Sequence, residues 1–340
     1  MKAMTFLEPG KMELIDISKP EMGPEDVLID IRYVGLCGTD LNTYRGKMPF
    51  VSYPLIPGHE VSGVVQEKGA QVPDTVAEGD KVTILPYFPC GDCPACHKGR
   101  FNTCQRNQTL GVHRDGALTS SIAVPWSKVF SSCELHLTEL ALAEPMAVGY
   151  HATNRGRVVP GDRVLVLGCG TIGMGATSAA VFKGATVMAV DVNEAKLELV
   201  RKFGVEATIN AATDEIEEKV VDLTGGDGAD VVIEAVGHPD TIRWAVEAAS
   251  YTGRVVHIGY FKKELPGYDI NQIVVKELDV TGSRNALNVF PEVIRMLEQG
   301  QLPFQELISA RYPFSQAPEA FKAWDADPGK FTKILIDMKA

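Results

Sequence analysis

The sequence lacks several features that would place a protein outside the ordinary soluble globular class. No apolar run approaches the roughly 20 residues that a membrane-spanning helix requires. The N-terminus also has no hydrophobic segment typical of a secretory signal. Positive charge is in short supply, because 33 Lys and Arg stand against 44 Asp and Glu, a net charge of −11. Nucleic acid and anionic membranes are therefore unfavourable partners, and we expect a cytoplasmic protein.

The length and the cysteine content limit the architecture. A chain of 340 residues with 45% hydrophobic residues is long enough for about two domains with sizeable cores. Internal repeats and low-complexity segments are absent. The seven cysteines are odd in number, and four of them lie between positions 90 and 104. This crowding favours a metal site over disulfide bonds.

The first 150 residues show short apolar stretches separated by Gly and Pro, a pattern typical of an irregular, mostly antiparallel β domain. We expect strands over residues 12–17, 26–34, 61–67, 80–85 and 117–124.

Strands and helices alternate from Asp162 onward, which predicts a doubly wound parallel sheet. Two more helices and a strand follow this region, and we expect the tail to rejoin the first domain. The predicted α/β fold therefore has one domain over 1–150, completed by 287–340, and another over 151–286. The strands are expected at 164–168, 186–190, 230–236, 253–259, 277–282 and 333–337, with helices near 172–183, 193–203, 214–223, 239–249, 289–299 and 315–325.

A glycine-rich motif follows the first strand of the alternating region. The sequence from Val164 runs through Gly168-Cys-Gly170-Thr171-Ile172-Gly173, which matches G-x-G-x-x-G between a strand and a helix. Such glycines permit a tight turn, close approach of a pyrophosphate, and close packing of helix on strand. The phosphates would bind at the helix N-terminus, where the helix dipole favours negative charge.

Asp191 ends the next strand, 18 residues beyond Gly173, where a dinucleotide ribose hydroxyl is expected to bind. The alternative is that Asp191 only caps the following helix. Neither Val192 nor Asn193 is the basic residue that a 2′-phosphate would require, so the motif favours NAD over NADP.

The crowded cysteines form C-x2-C-x2-C-x7-C, consisting of Cys90, Cys93, Cys96 and Cys104. Four thiolates at this spacing can enclose a tetrahedral structural zinc ion with no position open to a substrate. An iron–sulfur cluster is the alternative, since it uses similar ligands.

A second set of metal-binding residue types is dispersed in the sequence. Cys37 precedes Thr39-Asp40, His59 precedes Glu60, and Glu144 precedes Pro145 and an apolar helix. A thiolate, an imidazole and a carboxylate would leave one zinc position open for catalysis. Each residue also has a simpler interpretation, as a buried cysteine, a core histidine or a helix-capping glutamate, and spacing alone does not decide.

The whole chain resembles the zinc-containing medium-chain alcohol dehydrogenases. This resemblance implies a GroES-like, β-rich catalytic domain built from the first and last segments, and a Rossmann domain between them. It also implies NAD and two zinc ions per chain, one catalytic and one structural. The matching motifs, in order, are Gly35-Leu-Cys37-Gly-Thr39-Asp40, Gly58-His59-Glu60-Val-Ser-Gly63, the four-cysteine segment, Glu144-Pro145, the glycine-rich motif and Lys333.

The resemblance also implies roles for the dispersed residues. Cys37 and His59 would bind the catalytic zinc, with Glu60 or Glu144 as the third ligand, directly or through water. Asp40 would accept a hydrogen bond from His59 and fix its tautomer.

Thr39 would carry the alcohol proton outward while the hydride passes to the nicotinamide. Relatives usually have His at the position of Asn42, and an amide cannot take up that proton. The ribose hydroxyls, solvent, Tyr44 and His113 all remain open as its replacement.

On the nicotinamide side, the resemblance implies glycines at strand ends together with their neighbours. These residues are Val236, Gly237, Gly259, Tyr260 and Gly282.

Two polar segments suggest the substrate. Arg284 and Asn285 follow the last strand of the parallel sheet, and a guanidinium there could hold a carboxylate, although a salt bridge between domains or subunits is an equal alternative. His113 lies in a second polar loop. These segments resemble the sugar-acid branch of the family, such as L-galactonate or L-gulonate 5-dehydrogenases, which implies oxidation of a hexonate to a ketone.

Other functions remain as alternatives. A neutral polyol or diol, as in sorbitol or butanediol dehydrogenases, is the second candidate substrate. A zinc-less reductase and a non-catalytic NAD-binding protein are further alternatives. Family members are homodimers or homotetramers, so an oligomer is also expected.

Overall fold

The computed structural model describes residues 1–260 and 268–340, and the backbone divides into two compact units. The first unit comprises residues 1–144, 290–298 and 304–340, and the second comprises residues 145–289 and 299–303. Across these described residues, every helix is too short or too polar to cross a membrane.

The regular elements are numbered here in chain order. The strands are β1 (Lys2–Glu8), β2 (Lys11–Asp16), β3 (Asp26–Gly35), β4 (Glu60–Lys68), β5 (Lys81–Ile84), β6 (Ser121–Pro125), β7 (Val129–Ser131), β8 (Arg163–Leu167), β9 (Thr186–Asp191), β10 (Ala207–Asn210), β11 (Ala229–Glu234), β12 (Ala249–His257), β13 (Asp279–Gly282), β14 (Ile308–Pro313) and β15 (Lys333–Asp337). The helices are α1 (Gly38–Tyr44), α2 (Pro94–His97), α3 (Leu137–Leu140), α4 (Ala143–Arg155), α5 (Thr171–Phe182), α6 (Glu194–Arg201), α7 (Ile216–Thr224), α8 (Pro239–Glu247), α9 (Ile270–Val275), α10 (Phe290–Glu298) and α11 (Ala317–Ala326).

The first unit is organised around β3, which reaches several neighbours because of its length. The main sheet has the order β14-β15-β3-β4-β5-β7, and β6 pairs with the first half of β3. Strand β15 runs antiparallel to the end of β3, with Leu335 opposite Gly35. The C-terminal strand therefore lies beside the segment that leads into Cys37.

The predicted strand over residues 117–124 is wrong in its first half, since β6 begins only at Ser121. The backbone N–H groups of Ala117 and Leu118 instead donate to the carbonyls of Gly58 and Pro57. These bonds connect the segment to the loop before His59. Because the partner loop is about 60 residues away in the sequence, no local pattern could predict this pairing. The expected elements include no counterpart of strands β1, β7, β10 and β14 or of helices α1, α2, α3 and α9.

The second unit contains a parallel sheet of order β10-β9-β8-β11-β12-β13. Val164 to Leu167 are fully buried in the middle of it, which explains the uninterrupted apolar run in the sequence. The strand order reverses between β8 and β11. In such sheets, ligands bind at this switch point, beyond the carboxyl ends of the strands.

Candidate active site and metal centres

Cys37 lies at the N-terminus of α1, two residues after the end of β3. Its backbone N–H donates to the Asp40 carboxylate at 2.9 Å, which satisfies one of the free N–H groups at the start of the helix. Asp40 is completely buried. The cysteine is thereby fixed at the junction of a core strand and a short helix.

Glu60 begins β4 directly opposite Gly35 on β3. A Cβ atom at position 35 would lie 2.2 Å from the Glu60 carboxylate, so only glycine leaves room for this side chain. Since β3 leads to Cys37 and His59 precedes β4, the pairing of these strands brings the three residues together. Their potential ligand atoms all lie within 4.8 Å of one another.

The residues of this cluster suit a zinc ion. Thiolate, imidazole and carboxylate are the usual zinc ligands, and three of them leave a fourth position for a substrate. His59 Nδ1 lies 3.6 Å from Asp40 Oδ1, and both atoms are buried without a hydrogen-bond partner in the described chain. The imidazole thus presents Nδ1 to a carboxylate, as metal-binding histidines commonly do, which would leave Nε2 for a metal ion.

Burial and neighbouring charge act in opposite directions at His59 and Asp40. Burial lowers the pKa of His59, but the carboxylate of Asp40 and the thiolate of Cys37 outweigh burial and raise that pKa well above its usual value. The pKa of Asp40 is raised by burial, although His59 opposes this effect. The site therefore attracts positive charge, whether a proton or a metal ion.

Lys333 supplies one positive charge to this buried region. Its ammonium group donates to both Glu60 oxygens, at 2.7 and 2.5 Å, and to the carbonyl of Leu36 at 3.0 Å. Both side chains of the pair are almost fully buried. Strand β15 thus contributes directly to the environment of the candidate metal ligands.

Glu144 is the second buried carboxylate near the cluster, and it is held by a different partner. It lies within the first turn of α4, rather than before the helix as expected from the sequence. Its Oε1 accepts a hydrogen bond from the hydroxyl group of Tyr87, which is also buried. Burial raises the pKa of both groups. No pattern in the sequence indicates a role for Tyr87.

The residues proposed for proton transfer lie on α1. Thr39 is half-buried in the first turn of this helix, and Asn42 is half-buried one turn later. The ring of Tyr44 packs against Phe6 and Phe321, at centroid distances of 6.0 and 5.5 Å. Tyr44 is therefore part of the core of the first unit.

The four predicted cysteines form a compact cluster of thiols. Their sulfur atoms lie 3.4 Å apart for Cys90 and Cys104, 3.5 Å for Cys93 and Cys96, and 3.9 Å for Cys93 and Cys104. Tetrahedral zinc with bonds of about 2.3 Å would separate its sulfur ligands by about 3.8 Å. The geometry fits a closed four-thiolate zinc site.

In the second unit, the glycine-rich motif forms the turn between β8 and α5. Gly170 caps the helix, and Thr171 and Ile172 are its first two residues. A Cβ atom on Gly173 would lie 1.7 Å from the carbonyl oxygen of Gly168, so the close contact of helix and turn requires glycine. The free N–H groups at the helix start are suited to phosphate.

Asp191 ends β9 and reaches back to this turn. One carboxylate oxygen accepts the N–H of Cys169 at 2.8 Å, and the other accepts that of Asn193 at 3.0 Å. Asn193, rather than Asp191, caps α6 through its own side chain. Asp191 therefore joins the glycine-rich turn to the end of β9, where a ribose is expected.

The remaining predicted residues of this unit follow the carboxyl ends of β11, β12 and β13. Val236 and Tyr260 are 50% and 75% exposed, although they are apolar or aromatic. They adjoin Gly237 and Gly259. After Gly282, Arg284 is exposed and Asn285 is half-buried with a φ of 52°.

His113 lies in the first unit, on the loop between residues 109 and 116. Its side chain is exposed, and its Nδ1 accepts the N–H of Thr109 at 3.2 Å. Gly111 and Gly116 of this loop pack so closely against Gly58 that a Cβ on either would lie 2.5 Å from its backbone. The loop therefore packs directly on the segment that precedes His59.

Comparison with known proteins agrees with this arrangement. The family described as "Alcohol dehydrogenase GroES-like domain" matches residues 23–134, and "Zinc-binding dehydrogenase" matches residues 171–299. An uncharacterized zinc-type alcohol dehydrogenase-like protein of Haemophilus influenzae is 34% identical over 98% of both chains. The L-galactonate-5-dehydrogenase of Escherichia coli is 34% identical over 95% of this chain and 94% of its own.

The solved structures lead to the same family. An alcohol dehydrogenase from Escherichia coli CFT073, complexed with the cofactor NADH, superposes with a TM-score of 0.91 at 28% identity, covering 99% of each chain. The fold class and the family are thus those expected from the sequence. The chain belongs to the zinc-containing medium-chain alcohol dehydrogenase family, in its polyol and sugar-acid branch, and is an NAD-dependent oxidoreductase with zinc as its metal.

Proposed function

We propose that this enzyme oxidises a secondary alcohol of a sugar acid, of the hexonate class, to the corresponding ketone. Cys37, His59 and Glu60 would hold the catalytic zinc, and the bound ion would supply the Lewis acidity that lets an alcohol ionise near neutral pH. The main support for dehydrogenase chemistry is that the potential ligand atoms of these three residues lie within 4.8 Å of one another. The turn of Gly168 to Gly173 would bind NAD, which would supply the hydride acceptor.

The protein's own side chains prepare the alcohol for oxidation. Nδ1 of His59 faces the buried carboxylate of Asp40 at 3.6 Å, and the hydroxyl of Tyr87 donates a hydrogen bond to the Glu144 carboxylate. The hydroxyl of Thr39, in the same helical turn as Cys37, would accept a hydrogen bond from the alcohol and release its own proton as the alcohol ionises. Asn42 cannot take up this proton, so the proton has to pass to solvent or to another side chain.

Arg284 is the residue that distinguishes an acidic substrate from a neutral one. It lies just beyond the carboxyl end of β13, on the edge of the sheet where ligands bind in this fold. A guanidinium binds a carboxylate through two parallel hydrogen bonds, which a neutral polyol cannot accept with equal strength. His113 is the second candidate for binding the acid group.

The test compares hexonates with hexitols of the same stereochemistry in an NAD reduction assay, using the wild type and Arg284→Ala. A charge-assisted hydrogen bond is worth about 1.5–3 kcal/mol, so the variant should lower kcat/KM for the hexonate about 10- to 150-fold. Activity on the hexitol should change little. Arg157→Ala is the matched control, because Arg157 pairs with Asp279 at the opposite end of β13.

Two results would count against the sugar-acid proposal. If Arg284→Ala reduced the activity on hexonate and hexitol by the same factor, Arg284 would have a structural role. If the wild type reduced NAD only with neutral polyols or diols, the substrate would be a polyol instead.

We also propose a cytoplasmic homodimer or homotetramer. The seven cysteines are all unpaired, and Cys133 is exposed, which suits a reducing compartment. Strand β13 lies at the edge of the parallel sheet, where Val280 is 37% exposed. Val274 and Val275 on α9 are 73% and 67% exposed, and exposed strands and apolar patches commonly form interfaces. Sedimentation analysis would measure the oligomeric state, and a monomer at micromolar concentration would contradict the proposal.

A further inference from the structure

Glu234 is a buried carboxylate at the end of β11 that has no role in the chemistry proposed above. It is completely shielded from solvent. Its Oε1 accepts three hydrogen bonds, from the N–H groups of Val236 and Gly237 at 2.8 and 2.7 Å and from the hydroxyl of Thr241 at 2.8 Å. A buried charge is costly unless it is hydrogen-bonded, so this number of donors indicates a fixed anion.

The surroundings of Glu234 favour the ionised form. The carboxylate lies at the N-terminal end of α8, where the helix dipole stabilises negative charge. Burial tends to raise the pKa of Glu234, but His257 and the donors of the turn outweigh this effect and lower it below its ordinary value. The ionised side chain therefore holds the turn formed by residues 235–237 in place through these hydrogen bonds.

This turn touches the loops after β8 and β12, at the carboxyl ends of the parallel strands where the cofactor is expected to bind. The side chain of Val236 lies against Gly168, where a Cβ atom would be only 2.6 Å away. Gly237 packs on the loop after β12, because a Cβ atom on Gly259 would lie 2.1 Å from the Gly237 nitrogen and one on Gly237 would lie 2.6 Å from the Tyr260 oxygen. A shift of this turn would displace the loop after β12, which it meets through backbone atoms, whereas its contact with Gly168 is made mainly by the end of the Val236 side chain.

The second carboxylate oxygen also faces the loop after β12. Oε2 is buried and has no hydrogen-bond partner among residues 1–260 and 268–340. It lies 3.8 Å from Nδ1 of His257, and a Cβ atom on Gly259 would lie 2.8 Å from it. One carboxylate thus contacts the turn after β11 with one oxygen and faces the loop after β12 with the other.

We propose that Glu234 is a positioning residue for the nicotinamide half of the cofactor site. It fixes the turn at Val236 and Gly237 and, through backbone packing, the loop at Gly259 and Tyr260. The inference rests on the cofactor site proposed above. The adenosine half is fixed separately, since Gly168 N–H donates to Val190 at 2.7 Å and Cys169 N–H donates to Asp191 at 2.8 Å.

The test measures binding of two ligands, NADH and ADP-ribose, to the zinc-loaded full chain. ADP-ribose lacks only the nicotinamide ring, so it reports on the binding of the adenosine, the pyrophosphate and the riboses without that ring. Glu234→Ala removes an acceptor of three hydrogen bonds and should weaken NADH binding about tenfold or more, while ADP-ribose binding changes less than about threefold. Glu234→Gln should recover much of the NADH affinity, because its amide oxygen can replace Oε1.

Asp162→Asn is the matched control, since it alters a carboxylate at the amino ends of the strands of the same sheet, whereas Glu234 lies at their carboxyl ends. Asp162 accepts bonds from Val159 N–H at 2.9 Å and from Arg254 at 2.8 Å. This variant should bind both ligands like the wild type. If Glu234→Ala does not fold, Thr241→Val removes a single donor and should weaken NADH binding alone, about two- to fivefold.

Each contrary result has a distinct meaning. Unchanged NADH affinity in Glu234→Ala, or in Thr241→Val where the first variant does not fold, would overturn the positioning role. Equal losses for NADH and ADP-ribose would also overturn it, since they would indicate general loosening of the unit. A wild-type chain that binds neither ligand would instead refute the cofactor site on which the inference rests.

Discussion

Replacement of Lys333 by Met would test how the buried charges of the metal site are balanced. Methionine keeps most of the length of the side chain but removes the ammonium group that contacts both Glu60 oxygens. Glu60 is only 1% exposed, so its carboxylate would remain buried without this cation. Removing one partner of a buried ion pair costs about 3–5 kcal/mol, and we expect this loss in the metal-free protein.

The loss should depend on the other charges at the site. Zinc held by Cys37, His59 and Glu60 would also compensate the carboxylate, so the loss should be smaller in the zinc-loaded protein. In the double variant Glu60→Gln/Lys333→Met, no uncompensated charge remains, and most of the stability should return. The coupling between the two positions then follows from the double-mutant cycle.

Urea unfolding of chelator-treated and zinc-loaded protein, followed by tryptophan fluorescence, measures these differences. Lys339→Met is the matched control. Lys339 belongs to the same C-terminal segment as Lys333, but its ion pair with Asp30 is partly exposed. An exposed pair contributes about 0–1 kcal/mol, so the control should change little. If Lys333→Met cost the same free energy with Glu60 and with Gln at position 60, the reasoning would be refuted.

Three further outcomes are expected. Cys96→Ser should lower the zinc content from two ions per chain to one and reduce stability while leaving the catalytic ion bound, as metal analysis would show. Asp191→Ala should raise KM for NAD more than KM for NADP, which steady-state kinetics would measure; an equal change for both would exclude a ribose contact. Burial lowers the pKa of Lys183 to about 8, from 10.5 in the unfolded chain. The unfolded state therefore binds more protons between these values, so stability should rise from pH 8 to 10.5 in the wild type. Unfolding measured across that range should show no such rise in Lys183→Met.

The sequence was sufficient for features encoded within short segments. The strand, turn and helix around Gly168 to Gly173 follow from an apolar run and glycine spacing, and the structure has them within a residue or two of the expected bounds. The four cysteines likewise lie within one loop, so their spacing already predicted the cluster. Both sites depend on contacts between residues close in sequence.

The features that escaped prediction depend on distant contacts or weak local patterns. Strand β10 is four residues long and has only one buried residue, Ile209, so it lacks the apolar run that marks the other strands. Tyr87 reaches a carboxylate 57 positions away, and no periodicity indicates such a contact. Glu234 ends a strand that was predicted, but its role is visible only when β12 is placed beside it.

The same consideration explains why spacing could not choose between Glu60 and Glu144 as the third ligand. Their environments differ only through partners distant in sequence, because Lys333 contacts Glu60 and Tyr87 contacts Glu144. The geometry groups Glu60 with Cys37 and His59. A metal ion that uses Glu60 must share this carboxylate with a buried ammonium group, and the two cations repel each other. The four-cysteine site instead has four anionic ligands for its zinc ion.

The catalytic ion should therefore leave first when the protein is dialysed against a chelator. Metal content would fall from two ions to one while activity disappears, and Lys333→Met should slow this first loss because the competing cation is gone. If both ions were lost at the same rate from the wild type, and the variant lost them at that rate too, Lys333 would not weaken the binding of the metal by Glu60.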